Sequence, residues 1–346
     1  MEIWIWLGFI ALIFVFLAID LGVFHKNPHA ITFRESLLWT SIWILTAFLF
    51  NIFLYYAYQE HWLGIGDKIG TKMLGREAAL NFFTGYIIEK SLSVDNIFVI
   101  AMIFAYFNIP QKFQHRILYW GIIGALVFRG VMIIAGTALI NNFVWITYIF
   151  GALLIYSAVK LFTSKEEGVE PQKNPVIKLI RRVYPVSNGI EDGRFFTKIN
   201  GVRAVTPLFV VLMVIETSDV MFAIDSIPAI FAVTTDPFLV FTSNVFAILG
   251  LRSLYFVLAS VMDKFRYLKL SLVFVLGFVG IKMLLIHHFK FPIGISLGVI
   301  LGILTIGMLA SMLANKKEAR NGNARNGNVH QAISPEEKEA NQVVKQ

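Results

Sequence analysis

Apolar residues along this chain gather in nearly unbroken runs of about 20, separated by shorter polar stretches. Nine runs stand out, at about 3–24, 36–58, 78–106, 117–140, 143–162, 204–232, 237–261, 268–287 and 291–314. A helix needs roughly 20 apolar residues to cross a hydrocarbon layer about 30 Å thick, and only a helix or a closed barrel satisfies its backbone polar groups there. The pattern predicts an all-α polytopic membrane protein of about nine transmembrane helices. Only Met1 and Glu2 precede the first run, so the basic start of a signal peptide is missing and the run is expected to remain as a span. After Asn315 the chain turns polar, with Asn-Gly repeats and a Ser334-Pro335-Glu336-Glu337 run, and it is expected to be disordered.

Composition agrees with the pattern. Hydrophobic residues make up 57% of the chain and charged residues 15%. There are no cysteines, which excludes disulfides, thiolate metal sites, iron–sulfur clusters and thiol redox chemistry. The net charge of +8 is explained by orientation in a bilayer better than by nucleic acid, because the basic residues lie mostly between apolar runs. Loops after runs one, three, five and seven, with Lys269 at the edge of run eight and the C-terminal tail, hold 21 Lys and Arg. The opposite side holds four, namely Lys68, Lys72, Arg76 and Lys290. This asymmetry places the N-terminus outside, and the C-terminus and the basic loop at 163–203 in the cytosol.

Runs three to five resemble runs six to eight. Ile87-Ile88-Glu89-Lys90-Ser91 echoes Val214-Ile215-Glu216-Thr217-Ser218; Arg129 and Arg252 follow in the next runs; Lys160 and Lys282 end the third pair in similar contexts. The spacings are 40 and 36 residues from Glu to Arg, then 31 and 30 from Arg to Lys. Three spans per unit is an odd number, so the second unit must be inverted relative to the first, an architecture recurrent in secondary transporters. The expected organisation is an N-terminal two-helix segment (1–77), a first three-helix repeat (78–162), the basic loop (163–203), a second three-helix repeat (204–288), a last helix (289–314) and a polar tail (315–346).

Six acidic residues fall inside predicted spans: Asp20, Glu89, Asp95, Glu216, Asp219 and Asp225. A charged side chain at mid-membrane costs roughly 2.5–3.5 kcal/mol on insertion scales, so ion coordination or proton relay is the expected use. Glu216 and Asp219 are three residues apart and share a helical face, as do Glu89 and Asn96, seven apart. Asp225 lies about 180° from Glu216 on a continuous helix. Pro228 is expected to break that helix near Asp225–Ile227, freeing carbonyls as further ligands. Carboxylates, an amide, hydroxyls and carbonyls are hard oxygen donors suited to magnesium, calcium or manganese. All seven histidines lie in loops or at run ends, which disfavours zinc and copper. Phosphate-cradling glycine loops and nucleophile–base arrangements are not apparent, and the paired aspartates lack the Gly-x-Gly-Asp context of intramembrane proteolysis, so no enzyme is expected.

A structural account competes at each position. The intramembrane acids could pair with basic residues to hold the bundle; Ser, Asp and Asn near residue 95 could cap a helix break; Lys90 could pair with Glu89. Arg129 and Arg252 are expected to balance buried acids, Lys160 and Lys282 to snorkel toward the membrane faces, and Asp20 to be either exposed or part of a gate.

The stretches Glu89-x-x-Leu92-Ser93-x-Asp95-Asn96-x-Phe98 and Glu216-x-x-Asp219-x-x-Phe222-Ala223-x-Asp225-Ser226-Ile227-Pro228-Ala229, with the surroundings of Arg252 and Lys282, resemble the TerC family of integral membrane proteins, in its long, Alx-type branch. The resemblance covers roughly residues 1–315. It implies a transporter of the bacterial cytoplasmic membrane that exports manganese as its transported ion, with no covalently bound cofactor. The implied ligands are Glu89, Asp95, Asn96, Glu216, Asp219 and Asp225, with Asp20 contributing. The residues alone leave manganese, calcium and magnesium open. The alternative is a membrane partner for metal supply or sensing, or the redox-modulator role proposed for Alx-like proteins, a role to which a chain without cysteine gives little support. Metal cation and bilayer are the expected partners, and protein partners are unknown.

Overall fold

The apolar runs fold as helices. In the computed structural model, which describes residues 2–24, 32–143, 145–163, 175–187, 189, 193–199, 201–259, 267–285, 289 and 291–331, α1 covers Glu2–Phe24, α2 Phe33–Gln59, α3 Gly75–Tyr106, α4 Gln111–Asn142 and α5 Ile146–Thr163. A short α6, Pro175–Val183, and a hairpin of β1 (Phe196–Ile199) and β2 (Val202–Val205) follow. Then come α7 (Pro207–Phe231), α8 (Pro237–Ile248), α9 (Leu251–Ala259), α10 (Leu268–Leu284) and α11 (Ile293–Gln331). Local chemistry sets several starts. Thr32 caps α2 by accepting from the Glu35 amide, and Pro207 and Pro237 sit in the first turns of α7 and α8, where a missing N–H costs nothing.

Among the described residues, six helices are long and apolar enough to cross a membrane: α1, α2, α4, α5, α7 and the Ile293–Ala314 part of α11. The α8–α9 pair, bent by 44°, makes a seventh as one broken span. The expectation was nine. The other two runs are also helical, but α3 carries Glu89, Lys90 and Asp95 within seven residues, and α10 is 17 residues long.

Three further expectations need correction. The helix is not broken at Pro228: α7 continues through it and ends within a turn, at Phe231. The break lies instead between α8 and α9, at Gly250. Gly250 has φ +76°, a left-handed conformation that glycine alone adopts without strain, and a Cβ there would come within 2.6 Å of the Trp43 ring. The loop at 163–203 is not featureless, since α6 and most of the hairpin fall within it; at nine residues α6 is too short to register as an apolar run. The helix of α11 does not stop at Asn315 but runs to Gln331; Lys-Lys-Glu-Ala-Arg carries it past Asn315 with good helix formers, and the Asn-Gly repeats beyond are helical despite their low propensity. Residues 332–346, also expected to be disordered, lie outside the described residues.

Packing brings the two halves together. Phe9, Phe50, Phe82 and Phe246 join α1, α2, α3 and α8 in an aromatic core, with Phe50 and Phe246 stacked at 4.4 Å. α3 lies against α7 and α8, and α4 against α7 and α8. The most extensive contact joins α5 to α10. It is made by glycines: a Cβ on Gly151 would stand 3.1 Å from the Gly280 carbonyl, and one on Gly280 would stand 3.1 Å from the Gly151 carbonyl. Such small residues let helix backbones approach where no hydrophobic effect drives association. Substituting Gly151→Leu should force α5 from α10 and destabilise the protein by about 1–3 kcal/mol or more. Thermal unfolding in detergent reads this as a lowered midpoint, whereas Gly298→Leu, at an open position on α11, should leave the midpoint near that of the parent.

Candidate ion site

The buried charges fall into separate groups. At the centre, the Arg129 guanidinium of α4 reaches both motif helices. It donates to Glu89 Oε1 on α3 through Nη1, and to both oxygens of Asp219 on α7, at 2.8 Å from Nη2 and 3.1 Å from Nε. Arg129 is 2% exposed, Glu89 0% and Asp219 14%. A planar guanidinium suits this double engagement, presenting several donors in a fixed fork. One turn before Asp219, the Glu216 carboxylate lies against Gly124 of α4, in space a Cβ would fill. Two carboxylates thus share one guanidinium, with a third, Glu216, a turn away from Asp219 on α7. Glu89 Oε2 and Glu216 Oε2 are buried with no hydrogen-bond partner among the described residues.

A second pair closes the N-terminal helix onto the broken span. Asp20 of α1 and Arg252 of α9 are both buried, 3.0 Å apart, and Arg252 also donates to the Asp20 carbonyl. Asp225 is placed elsewhere. Because α7 is continuous, Asp225 turns away from Glu216 and accepts from the Ser157 hydroxyl of α5 at 2.6 Å.

Two cavities follow this division. A small one, about 30 Å³, is lined by Asn96, Ser218, Asp219 and Arg252 among apolar neighbours; that is room for a water or two. A larger one, about 360 Å³, is lined by Ser157, Lys160, Asp225 and Ser226 among others. Asn96 of α3 and Phe222 of α7 line both, and Phe222 sits midway along α7 between Asp219 and Asp225.

Of the residues expected to act together, Glu89 and Asp219 meet through Arg129, Glu216 lies a turn away, and Asn96 borders both cavities. Asp225 and Asp20 stand apart from that group. Lys160 is exposed within the larger cavity, and Lys282 is buried on α10. The side chain of Asp95 lies outside the described residues. Among the described residues no three His, Cys, Asp or Glu side chains gather as a preformed metal site; the guanidinium stands between two of the expected ligands.

Asp236 was missed in the sequence, and Lys90 was weighed there only as a partner for Glu89. Lys90 Nζ donates to the carbonyls of Ala247 at 3.1 Å and Leu249 at 3.4 Å, so an ammonium caps the open C-terminal end of α8 at the break. A glycine inside an apolar run was the available signal. Asp236, fully buried, caps α8 through the amides of Phe238 and Leu239 and also accepts from Tyr58 Oη at 2.9 Å and the Thr71 amide at 2.6 Å. It pins the 60–74 loop to the start of α8, and its Asp-Pro context was a readable cap signal.

Residues 74–319 match the family described as "Integral membrane protein TerC family". The chain is 46% identical over 312 residues to an uncharacterised membrane protein of Myxococcus xanthus, covering 90% of this chain and 93% of that one. It is 43% identical over 313 residues to a protein of Escherichia coli K12 named as a proposed membrane-bound redox modulator, Alx (90% and 95% covered). A Salmonella typhi protein of the same name is 43% identical over 312 residues, with 90% and 94% covered. No solved structure matches.

Arg129→Gln should leave Glu89 and Asp219 facing each other without their counter-ion. The expected loss is about 3–5 kcal/mol, the usual cost of stranding a buried charge. Arg129→Lys, keeping charge but not the fork, should fall between the two, with melting of the purified protein as the measure.

Proposed function

Because the chain belongs to the TerC family of integral membrane proteins, we propose that it is a secondary transporter moving a divalent cation, manganese(II), out of the cell through the buried carboxylates of α3 and α7. The observation that carries this reading is the pair of unpartnered, buried carboxylate oxygens, on Glu89 and Glu216, flanking the Arg129–Asp219 bond. Buried acceptors left unpaired are costly, and a hard divalent cation is a partner that would answer several of them at once. The resemblance to the Alx-type branch selects manganese from the three hard cations.

Arg129 then acts as the internal counter-cation of the cargo-free state. Cargo competes with the guanidinium for Glu89 and Asp219, and Glu216 adds the charge that makes the exchange favourable. Asn96 and Phe222 form the wall between a site near Asp219 and the larger cavity holding Asp225 and Lys160. Proton exchange at the same carboxylates is the coupling this reading favours. The architecture beneath it is nine membrane helices, with α3–α5 and α7–α10 as inverted three-helix repeats. Support comes from the reciprocal packing of α3 on α8 and α4 on α7, and from the glycine pairing of α5 with α10. In the bacterial cytoplasmic membrane the positive-inside count orients the N-terminus outward and the C-terminus to the cytosol. Metal ion and lipid are the partners this reading requires. The redox role carried in the names of the Escherichia coli and Salmonella relatives cannot run through thiols here, since this chain has no cysteine.

The test is cellular manganese after a manganese load, at matched membrane expression. Wild type should lower it, and Glu216→Gln/Asp219→Asn should not. Equal manganese in both would remove manganese export as the function. Truncation after Gln331 should leave the wild-type effect intact; loss of the effect would favour a role through a protein partner of the tail.

A further inference from the structure

α6 is outside the ion path, yet its surface is more specialised than that of a connecting helix. At nine residues and 1.5 Å per residue it spans about 14 Å, far short of a bilayer. Taking 100° per residue, its side chains divide into three sectors about 120° apart. Ile177 and Ile180 form the first; they are 3% and 9% exposed and pack into the core at the base of α7, with Val205, Leu208 and Val211. Leu179 and Val183 form the second, 60% and 61% exposed. Lys178, Arg181 and Arg182 form the third, all exposed. Among the described residues none of these three is in an ion pair.

A helix on the surface of a soluble protein needs two sectors, one apolar toward the core and one polar toward water. Here a second apolar sector, that of Leu179 and Val183, has no protein against it among the described residues. α6 is held at the end of α7 where that helix enters its apolar run, the level of a headgroup boundary. We propose that α6 is an interfacial helix that docks on anionic phospholipid: Leu179 and Val183 enter the acyl boundary, while Lys178, Arg181 and Arg182 hold lipid phosphates on the flank away from α7. An amphipathic segment with an apolar stripe and a basic stripe binds such a surface by burial and charge together. The exposed Phe196, Val202, Lys198 and Arg203 of the adjoining hairpin repeat the same pairing of apolar and basic character. Because Ile177 and Ile180 rest on α7, the helix that carries Glu216 and Asp219, lipid charge is coupled mechanically to that helix. The docking itself does not depend on what the protein transports.

The chain has no cysteine, so a single substitution places one unique label in the full-length protein. Nitroxide is attached at Leu179→Cys, Val183→Cys or Arg182→Cys, and the protein is reconstituted in phosphatidylcholine vesicles with or without phosphatidylglycerol. Accessibility to oxygen, which concentrates in lipid, is compared with accessibility to a water-soluble nickel complex. The expected result is an oxygen-to-nickel ratio several-fold higher at 179 and 183 than at 182. Phosphatidylglycerol should raise it further, and Lys178→Gln/Arg181→Gln/Arg182→Gln in the same chain should abolish that increase. Nickel access at 179 and 183 equal to that at 182 would overturn the proposal. So would a ratio indifferent to phosphatidylglycerol, or sites closed to both reagents, which would mean that protein covers them.

Discussion

Arg129 is the group on which the interior depends. Three helices meet where its guanidinium engages Glu89 on α3 and Asp219 on α7, and none of the three partners could stay buried and charged alone. Removing the arginine would leave two buried carboxylates facing each other without a counter-charge; removing either acid would leave the arginine half-satisfied. Gly124 belongs to the same constraint, since a side chain there would evict the Glu216 carboxylate from its place beside α4. The apolar cores around this point supply packing, but the direction in which α3, α4 and α7 face is set by where their charges must go.

The continuity of α7 divides the remaining acids. With no break at Pro228, a helix of 25 residues carries Glu216 and Asp219 toward α4 and Asp225 toward α5. One helix therefore serves two cavities, with Phe222 between them. The irregular backbone is displaced to the α8–α9 span, where Gly250 permits it and Trp43 fills the space beside it. Asp20 and Arg252 tie that broken span to α1, so the N-terminal helix is part of the same charge scheme rather than an appended anchor.

How much of this could be read from the sequence follows from the range over which each signal acts. The nine apolar runs all emerge as helices because burying backbone in hydrocarbon leaves no other local solution. The acids were legible as unusual for the same reason, each being a large local exception to an apolar run. Which base each acid meets was not legible, because the pairing of Arg129 with Asp219 spans 90 residues. The break was assigned to Pro228 by a local rule, but a proline one turn from a helix end costs little, whereas Gly250 has to accommodate a tryptophan arriving from α2. Lys90 looked like a neighbour for Glu89 along the chain; side chains adjacent in sequence diverge on a helix, and it turned to α8 instead. The nine-residue α6 escaped a search for spans because its information lies in three sectors, not in length.

Lys90 gives the broken span a property that a bound ion could not. Helix ends that open inside a membrane expose carbonyl dipoles, which elsewhere attract a dissolved cation. Here the positive charge at Ala247 and Leu249 is covalently part of α3. Unlike a bound metal ion, the Lys90 side chain cannot diffuse away or wash out at low salt. The open end of α8 at the bend is thus held by a side chain of α3 rather than by a dissolved metal ion.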